Sequence, residues 1–406
     1  MNIDSPWKAD FPALAGKPVS YLDSAATCQV PQSVIQALND YLANGHGNPG
    51  RGLHRMSENA SRVLQACRLK VAEFVGADEE QIAFTKSTTE SINLVASNLR
   101  STLTDKDSIL VSEMEHHSNL LPWQRLCQQT GARLNILPLS QNGEFDLSRL
   151  QQFLADRCQL FAFTHGSNVL GNHPPVEFFI QQAKLASVKT LIDGAQAVSH
   201  TKIKLAELGC DFYAFSGHKL YAPGGSGVLY CRQPDSIEPL LLGGGIVNKT
   251  SASGYLLTKG ITKLEAGSAN LVSLVGLSAA LDYVNQIGIE NIIEYEKKLY
   301  AYLLASFNQL GDYQILSHPS SKSLISFHSS LGFSGSNPSG QIHCHDIASI
   351  LSDSQIAVRA GHHCAQPCLN AIGVKHCVRA SLGLYTDSQD IDALIEGLKG
   401  VSQILG

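Results

Sequence analysis

Between residues 81 and 231 short apolar runs alternate with longer amphipathic stretches. QIAFTKS (81–87), DSILVSE (107–113), RLNILPL (133–139), LFAFTH (160–165), KTLIDGA (189–195) and DFYAFSG (211–217) each have the length and apolar content of a buried strand. TTESINLVASNL (88–99), LPWQRLCQQTG (121–131) and EFFIQQAKLAS (177–187), lying between them, carry helical spacing. Strands alternating with helices predict a mainly parallel α/β sheet, with ligands gathered at the carboxyl ends of the strands. GSGVLYC (225–231) follows the preceding strand so closely that it is a candidate antiparallel member. Residues 271–288 have the apolar spacing of a buried helix ending at a glycine cap.

From about residue 290 the texture changes. A long helical stretch (291–311) precedes short strand candidates SLISFHSS, IAVRAGHH and CVRASLGLY, and DIDALIEGLKGVSQIL closes the chain as a helix. This predicts a large α/β domain over 20–289 and a smaller α+β domain made of 290–406 together with the N-terminal 1–19. GFSGSNPSGQ (332–341) reads as a Gly/Ser-rich loop with no chemical role.

Composition narrows the class. A chain of 406 residues exceeds what one core usually supports, and 44% hydrophobic with 16% charged residues is ordinary for a globular enzyme. A net charge of -5 without a Lys/Arg block argues against nucleic acid and acidic membrane as partners. The N-terminus lacks the pattern of a signal peptide, and no apolar stretch is long enough to span a bilayer. Ten scattered cysteines do not form a secreted disulfide framework, so a reduced, cytoplasmic protein is expected.

The candidate chemistry begins with Asp193, at the carboxyl end of an apolar strand, and Lys219, on a Ser-Gly-His turn. Pyridoxal phosphate (PLP) needs such a pair: a carboxylate to keep the ring nitrogen protonated and an amine to carry the cofactor covalently and move protons. Thr88 and Thr89 open a helix and can grip a phosphate or simply cap the helix, and Ser216 and His218 can add donors. His116 or His117, after strand DSILVSE, can stack on the ring and shuttle a proton. Asn168 and Gln196 can donate to a ring oxygen, and Arg359 and Arg379 are bidentate partners for a substrate carboxylate. Cys364, beside two histidines on a Gly-flanked loop, is a candidate nucleophile. The rival reading of HCH (343–345), HHC (362–364), Cys368 and HC (376–377) is metal binding, but their spacings match no zinc pattern and no metal is expected.

Taken together, DSAAT (23–27), STTESINLVA (87–96), SEMEHHSNLLPWQ (112–124), SNVLG (167–171), DGAQAVSH (193–200), DFYAFSGHKLY (211–221), LGGG (242–245), EAGSAN (265–270) and RAGHHCAQP (359–367) resemble the cysteine desulfurases. The similarity is to the SufS- and CsdA-like branch, related to selenocysteine lyases, and runs from about residue 20 to 395. The resemblance implies a fold-type I, aspartate aminotransferase-like PLP enzyme that acts as a homodimer. It assigns Lys219 to the covalent cofactor link, Asp193 to the ring nitrogen and His116, the first of the pair, to ring stacking. Thr88, Thr89, Ser216 and His218 match phosphate-binding positions, and Ser268 a phosphate contact to the neighbouring subunit. Asn168 and Gln196 match ring-oxygen contacts, Arg379, Arg359 and Ala26 the substrate site, and Cys364 the sulfur-accepting cysteine.

The implied reaction converts L-cysteine to L-alanine and leaves a persulfide on Cys364 for a sulfur-acceptor protein that feeds iron–sulfur clusters or other thio-cofactors. L-Selenocysteine and cysteine sulfinate are the alternative substrates; an aminotransferase and a non-enzymatic sulfur or metal carrier are the rival classes. Ser87 stands where a glycine is usual, Gly50 where a histidine is common, Ser268 for threonine and Gly166 for an apolar residue. APGGSG (222–227) and Ile246, Val247 and Asn248 also depart from the family pattern. None of these removes a catalytic group.

Overall fold

The computed structural model describes residues 3–50, 52–331 and 342–405, and the Gly/Ser-rich stretch 332–341 lies outside the described residues. Among these, a seven-stranded sheet organises the large domain. Its order is Ile82–Thr85, Gly227–Cys231, Phe212–Ser216, Lys189–Asp193, Cys158–Thr164, Ser108–Ser112, Arg133–Leu137. Gly227–Cys231 runs antiparallel to both its neighbours, and the remaining pairs are parallel.

Both faces of the sheet are covered, which explains why its strands read as continuous apolar runs. Phe161, Phe163, Ile192, Tyr213 and Phe215 point into one core, against helices Gln32–Asn44, Arg55–Val75, Val176–Leu185 and Leu271–Ile287. Leu160, Ala162, Leu191, Phe212 and Ala214 point into the other, against Thr88–Leu99 and Leu121–Thr130. The alternation along each strand is the two-residue period of the pleat. Among the described residues no single helix is long and apolar enough to cross a membrane.

The strand Lys189–Asp193 is extended by Gly194, where a Cβ would lie 2.1 Å from the Tyr213 ring. Gly194→Ala is therefore expected to lower unfolding stability by about 1–3 kcal/mol, since the buried Tyr213 ring must move. A denaturant titration that leaves the midpoint unchanged would show that the ring yields freely.

Gly288, at φ 85°, turns the chain by 74° between Leu271–Ile287 and the helix Ile289–Phe307. The smaller unit is an antiparallel sheet ordered Tyr313–Ile315, Leu324–Ser329, Cys377–Ser381, Arg359–Gly361. Helices Ile289–Phe307, Cys344–Asp353 and Ser388–Leu405 bury Leu299, Leu303, Ile347, Leu394 and Leu398 against it. IAVRAGHH, expected as one strand, is broken. Ile356–Ala357 pairs in parallel with Ser20–Tyr21, Arg359–Gly361 joins the sheet, and residues 362–364 leave it after Gly361 at φ 121°.

The stretch 1–19 was grouped above with the small domain; its described part, 3–19, bridges the two. Trp7 packs on Tyr295 of the small domain, whereas Phe11 packs on Tyr221 and Tyr283 of the large one. Helices Gln32–Asn44 and Arg55–Val75 and the hairpin Val247–Ser251/Gly254–Leu257 were not picked out in the sequence. The hairpin is almost wholly exposed, so burial imposes no strand-like alternation on it.

Candidate active site

The carboxyl ends of the central strands and the loops of the small domain enclose a cavity of about 530 Å³. Ala26, Thr88, Thr89, His116, Asn168, Asp193, Gln196, Ser216, His218, Lys219, Arg359, Cys364 and Arg379 all line it. Residues that are up to 353 positions apart (Ala26 to Arg379, 379 − 26) thus share one space. Ser268 does not. It lies in a separate recess with Lys86, Gly225 and Leu241.

At the floor, Asp193 ends its strand only 4% exposed, and its Oδ1 accepts the Ala195 N–H at 3.0 Å. Burial raises the Asp193 carboxyl pKa, and that N–H and Lys219 oppose the rise. Burial also lowers the Lys219 ammonium pKa; Asp193 works against this and Arg379 with it. The lysine is therefore nearer to its neutral, nucleophilic form than a surface lysine, as amine chemistry requires. A cationic ring N–H brought against Asp193 would restore its ionised state.

One wall suits an anion. Helix Thr88–Leu99 points its N-terminus into the cavity, where the Thr88 N–H and Oγ1 meet Ser216 Oγ at 2.8 and 2.7 Å. Thr89 Oγ1 is 2.8 Å from Ser118 Oγ. Backbone N–H groups, hydroxyls and the helix dipole make this a phosphate-type cradle. Ser87 needs no glycine-like freedom here. Its φ of -173° is extended backbone, and its Oγ accepts the Glu90 N–H at 3.4 Å as the helix cap. Gly50, by contrast, sits at φ 112°, where glycine is favoured over the usual histidine. A buried carboxylate, a buried amine, an anion cradle and an imidazole in one cavity are a donor set that fits PLP.

His116 is held by its neighbours. Its Nδ1 accepts the Ser118 N–H at 3.1 Å, so the neutral ring carries its proton on Nε2. Burial chiefly, with Lys219, His117 and Arg379, pushes its pKa down to about 4, so the ring is neutral near pH 7. Glu115, unremarked in the sequence, anchors the same turn: it accepts from Ser112 and Asn119 side chains and from the Thr164 N–H. Burial pushes this carboxyl up to about 8 despite those donors. An acid directly before a His pair at the end of a buried strand was the available signal.

The small domain supplies the opposite wall. Arg379 is 2% exposed; it donates through Nη1 to the Asn168 carbonyl at 2.9 Å and through Nη2 to Asp23 at 3.2 Å. Its Nε is buried with no partner. Arg359, with a side chain 50% exposed, is instead taken up by Asp23, which accepts from its Nε at 3.1 Å and its Nη2 at 2.7 Å. The two arginines therefore differ. Arg379 is buried with its Nε unpartnered, while Arg359 is half-exposed and taken up by Asp23, which also reaches Arg379. Asp23, quoted within DSAAT but given no role there, is the residue this geometry adds.

His363 and Cys364 adopt φ 50° and 53°, left-handed values that cost about 1–2 kcal/mol per non-glycine residue. The surrounding structure holds them there. Asn168 Nδ2 donates to the His363 carbonyl at 2.7 Å, the His117 N–H to the Cys364 carbonyl at 2.7 Å, and His363 Nε2 to the Cys377 carbonyl at 3.1 Å. Burial lowers the His363 pKa to about 3, so this ring is neutral. The result presents the Cys364 side chain, the exposed one among ten free cysteines, at the cavity rim.

Comparison with known proteins places this arrangement. The aminotransferase class-V family model matches residues 20–394. A cysteine desulfurase of Serratia proteamaculans (strain 568) is 41% identical over 408 residues, covering 98% of each chain. One of Cronobacter sakazakii is 40% identical over 413 residues, again covering 98% of each. Among solved structures, the cysteine desulfurase CsdA of Escherichia coli matches with a TM-score of 0.90 at 34% identity, covering 98% of both chains. The apo cysteine desulfurase of Thermococcus onnurineus NA1 gives 0.92 at 34% identity, covering 100% of this chain and 99% of that one. With a fold-type I architecture and this degree of similarity along its whole length, the chain belongs to the aminotransferase class-V family and, within it, to the cysteine desulfurases.

Proposed function

We propose that this protein is a PLP-dependent cysteine desulfurase that converts L-cysteine to L-alanine and passes sulfur from Cys364 to an acceptor protein. The observation that carries this reading is the cavity itself: the Lys219–Asp193 pair and the rim thiol of Cys364 face one space, with the unpartnered Arg379 Nε between the domains.

PLP, when bound, supplies the electron sink that makes loss of the substrate Cα proton and cleavage of its Cβ–S bond possible. Thr88, Thr89, Ser216 and His218 hold the phosphate, and Asp193 holds the ring nitrogen. Asn168 Nδ2 and Gln196 Nε2 each give one N–H to a backbone carbonyl, at 2.7 and 2.8 Å, and keep a second for the ring oxygen. Lys219 anchors the cofactor covalently and, released by substrate, takes the Cα proton. Arg379 binds the substrate carboxylate. The Cys364 sulfur attacks the substrate sulfur; an S–S bond forms, the Cβ–S bond breaks, and its electron pair stays with the carbon fragment. His116, neutral with its proton on Nε2, is placed to hold or deliver a proton as alanine forms. An acceptor thiolate then takes the outer sulfur.

Ser268, away from the cavity, and the exposed Leu241, Leu242, Tyr255 and Leu256 support a second copy of the chain docking on this side, completing the phosphate site as a homodimer. Ten free cysteines support a reducing, cytoplasmic location. The direct test is alanine release from L-cysteine, L-selenocysteine and cysteine sulfinate, with and without an acceptor; no alanine from L-cysteine would overturn the reading.

The Asp23 bridge yields a sharper test. Asp23→Asn keeps the shape but removes the charge that orients both arginines, so KM for L-cysteine should rise roughly 10-fold. Because the reacting groups are untouched, kcat should change less than about threefold. A fall in kcat at constant KM would remove Asp23 from carboxylate binding.

A further inference from the structure

We propose that His343, Cys344 and His376 bind one divalent transition-metal ion, with Zn²⁺ the best fit, beside the point where the Cys364 loop leaves the small-domain sheet. One ligand atom from each residue lies within 4.8 Å of the others. The His343 and His376 rings are already in contact, with centroids 4.2 Å apart and planes tilted by 52°. The ligands come from two elements: Cys344 opens helix Cys344–Asp353, and His376 directly precedes strand Cys377–Ser381. Cys377 pairs with Gly361, three residues before Cys364 in the chain.

A second observation points to a ligand. His376 Nδ1 is buried and has no hydrogen-bond partner. Such an orphaned atom is uncommon and calls for something that a metal ion would provide. Cys344 is buried. Coordination removes the thiol proton outright, so burial does not bar this residue from ligation.

Two nitrogens and one thiolate select zinc or copper over magnesium or calcium. Three protein ligands leave a fourth position open to water or a small thiol, unlike the closed sites that serve structure alone. His343 Nδ1 accepts the His345 N–H at 3.2 Å, so ligation must either displace that long contact or place the ring proton on Nδ1. Either change is local to the first turn of the helix.

Cys364 is the competing thiol, so the test is made on PLP-loaded Cys364→Ser protein freed of metal by a chelator. Calorimetric titration with Zn²⁺ should show one site per chain. His376→Gln and Cys344→Ser should each weaken it by more than the roughly 10–100-fold typical of losing an outer-shell partner. His328→Gln should not. Far-UV circular dichroism and the thermal midpoint check that each variant is folded, and if Cys344→Ser is not, the partly exposed His376→Gln decides alone. Absence of Zn²⁺ binding, or binding that ignores His376→Gln, overturns the site. Because the readout is metal binding in a variant lacking Cys364, its outcome is independent of the desulfurase reading.

Discussion

Cys364→Ala is expected to lower alanine release from L-cysteine by on the order of 10³-fold or more, as when a nucleophile without a substitute is removed. The cofactor should remain bound with its colour unchanged. The physical reason is separation of roles. Cys364 contributes a side chain to the rim, whereas its backbone is fixed by the His117 N–H at 2.7 Å and its neighbour His363 by Asn168 at 2.7 Å. Deleting Sγ leaves those bonds, and with them the loop, in place. Alanine also tolerates the φ of 53° no worse than cysteine does. L-Selenocysteine and cysteine sulfinate carry better leaving groups, so their rates should fall less. Three substrates assayed on wild type and variant, with alkylation of the persulfide as a second readout, settle the role. Alanine released from L-cysteine at the normal rate would end it.

Lys219→Ala should be the most damaging single substitution. It removes both the covalent anchor and the group placed to take the Cα proton. Loss of a positioned base alone is worth about 10²–10⁴-fold. The lysine sits where burial lowers its ammonium pKa and Arg379 adds to that, so no nearby residue offers an equivalent neutral amine. The neighbouring His218 and His116 have pKa values pushed down to about 4, chiefly by burial, and are weak bases in this cavity. Turnover of all three amino acids should therefore disappear together, and the visible absorption of the bound cofactor should shift toward that of the free aldehyde. An unchanged spectrum would refute the covalent role of Lys219. The contrast with Cys364→Ala is diagnostic: one variant loses the covalent cofactor link and the Cα proton transfer, the other keeps both and loses the thiol that takes the sulfur.

Much of this was legible in the chain. The apolar runs ending in Asp193 and in Ser216–Lys219 placed both residues at one edge of a parallel sheet, because fully covered strands have to be continuously apolar. The antiparallel strand Gly227–Cys231 was legible too, since ten residues leave no room for a crossover. The break in IAVRAGHH was not. Its Ile-Ala-Val start reads as a short apolar strand, but Ser20–Tyr21 captures the first half, and Gly361 at φ 121° turns the second away.

What the sequence determined, then, is whatever acts over a few residues: strand and helix periods, and the motifs that single out Lys219, Asp193, His116 and Cys364 as candidates. Tertiary structure alone decided the pairings between distant segments. It distinguished Arg379 from Arg359 by giving Asp23 to the latter in two-fold contact while leaving one buried donor on the former. It joined the His117 N–H to the Cys364 carbonyl, and brought His376 to His343 and Cys344 where linear spacing had argued against a metal. The reason is that hydrogen bonding and coordination depend on distances of a few ångströms, and chain separation sets those only within a turn of helix or a pair of strands.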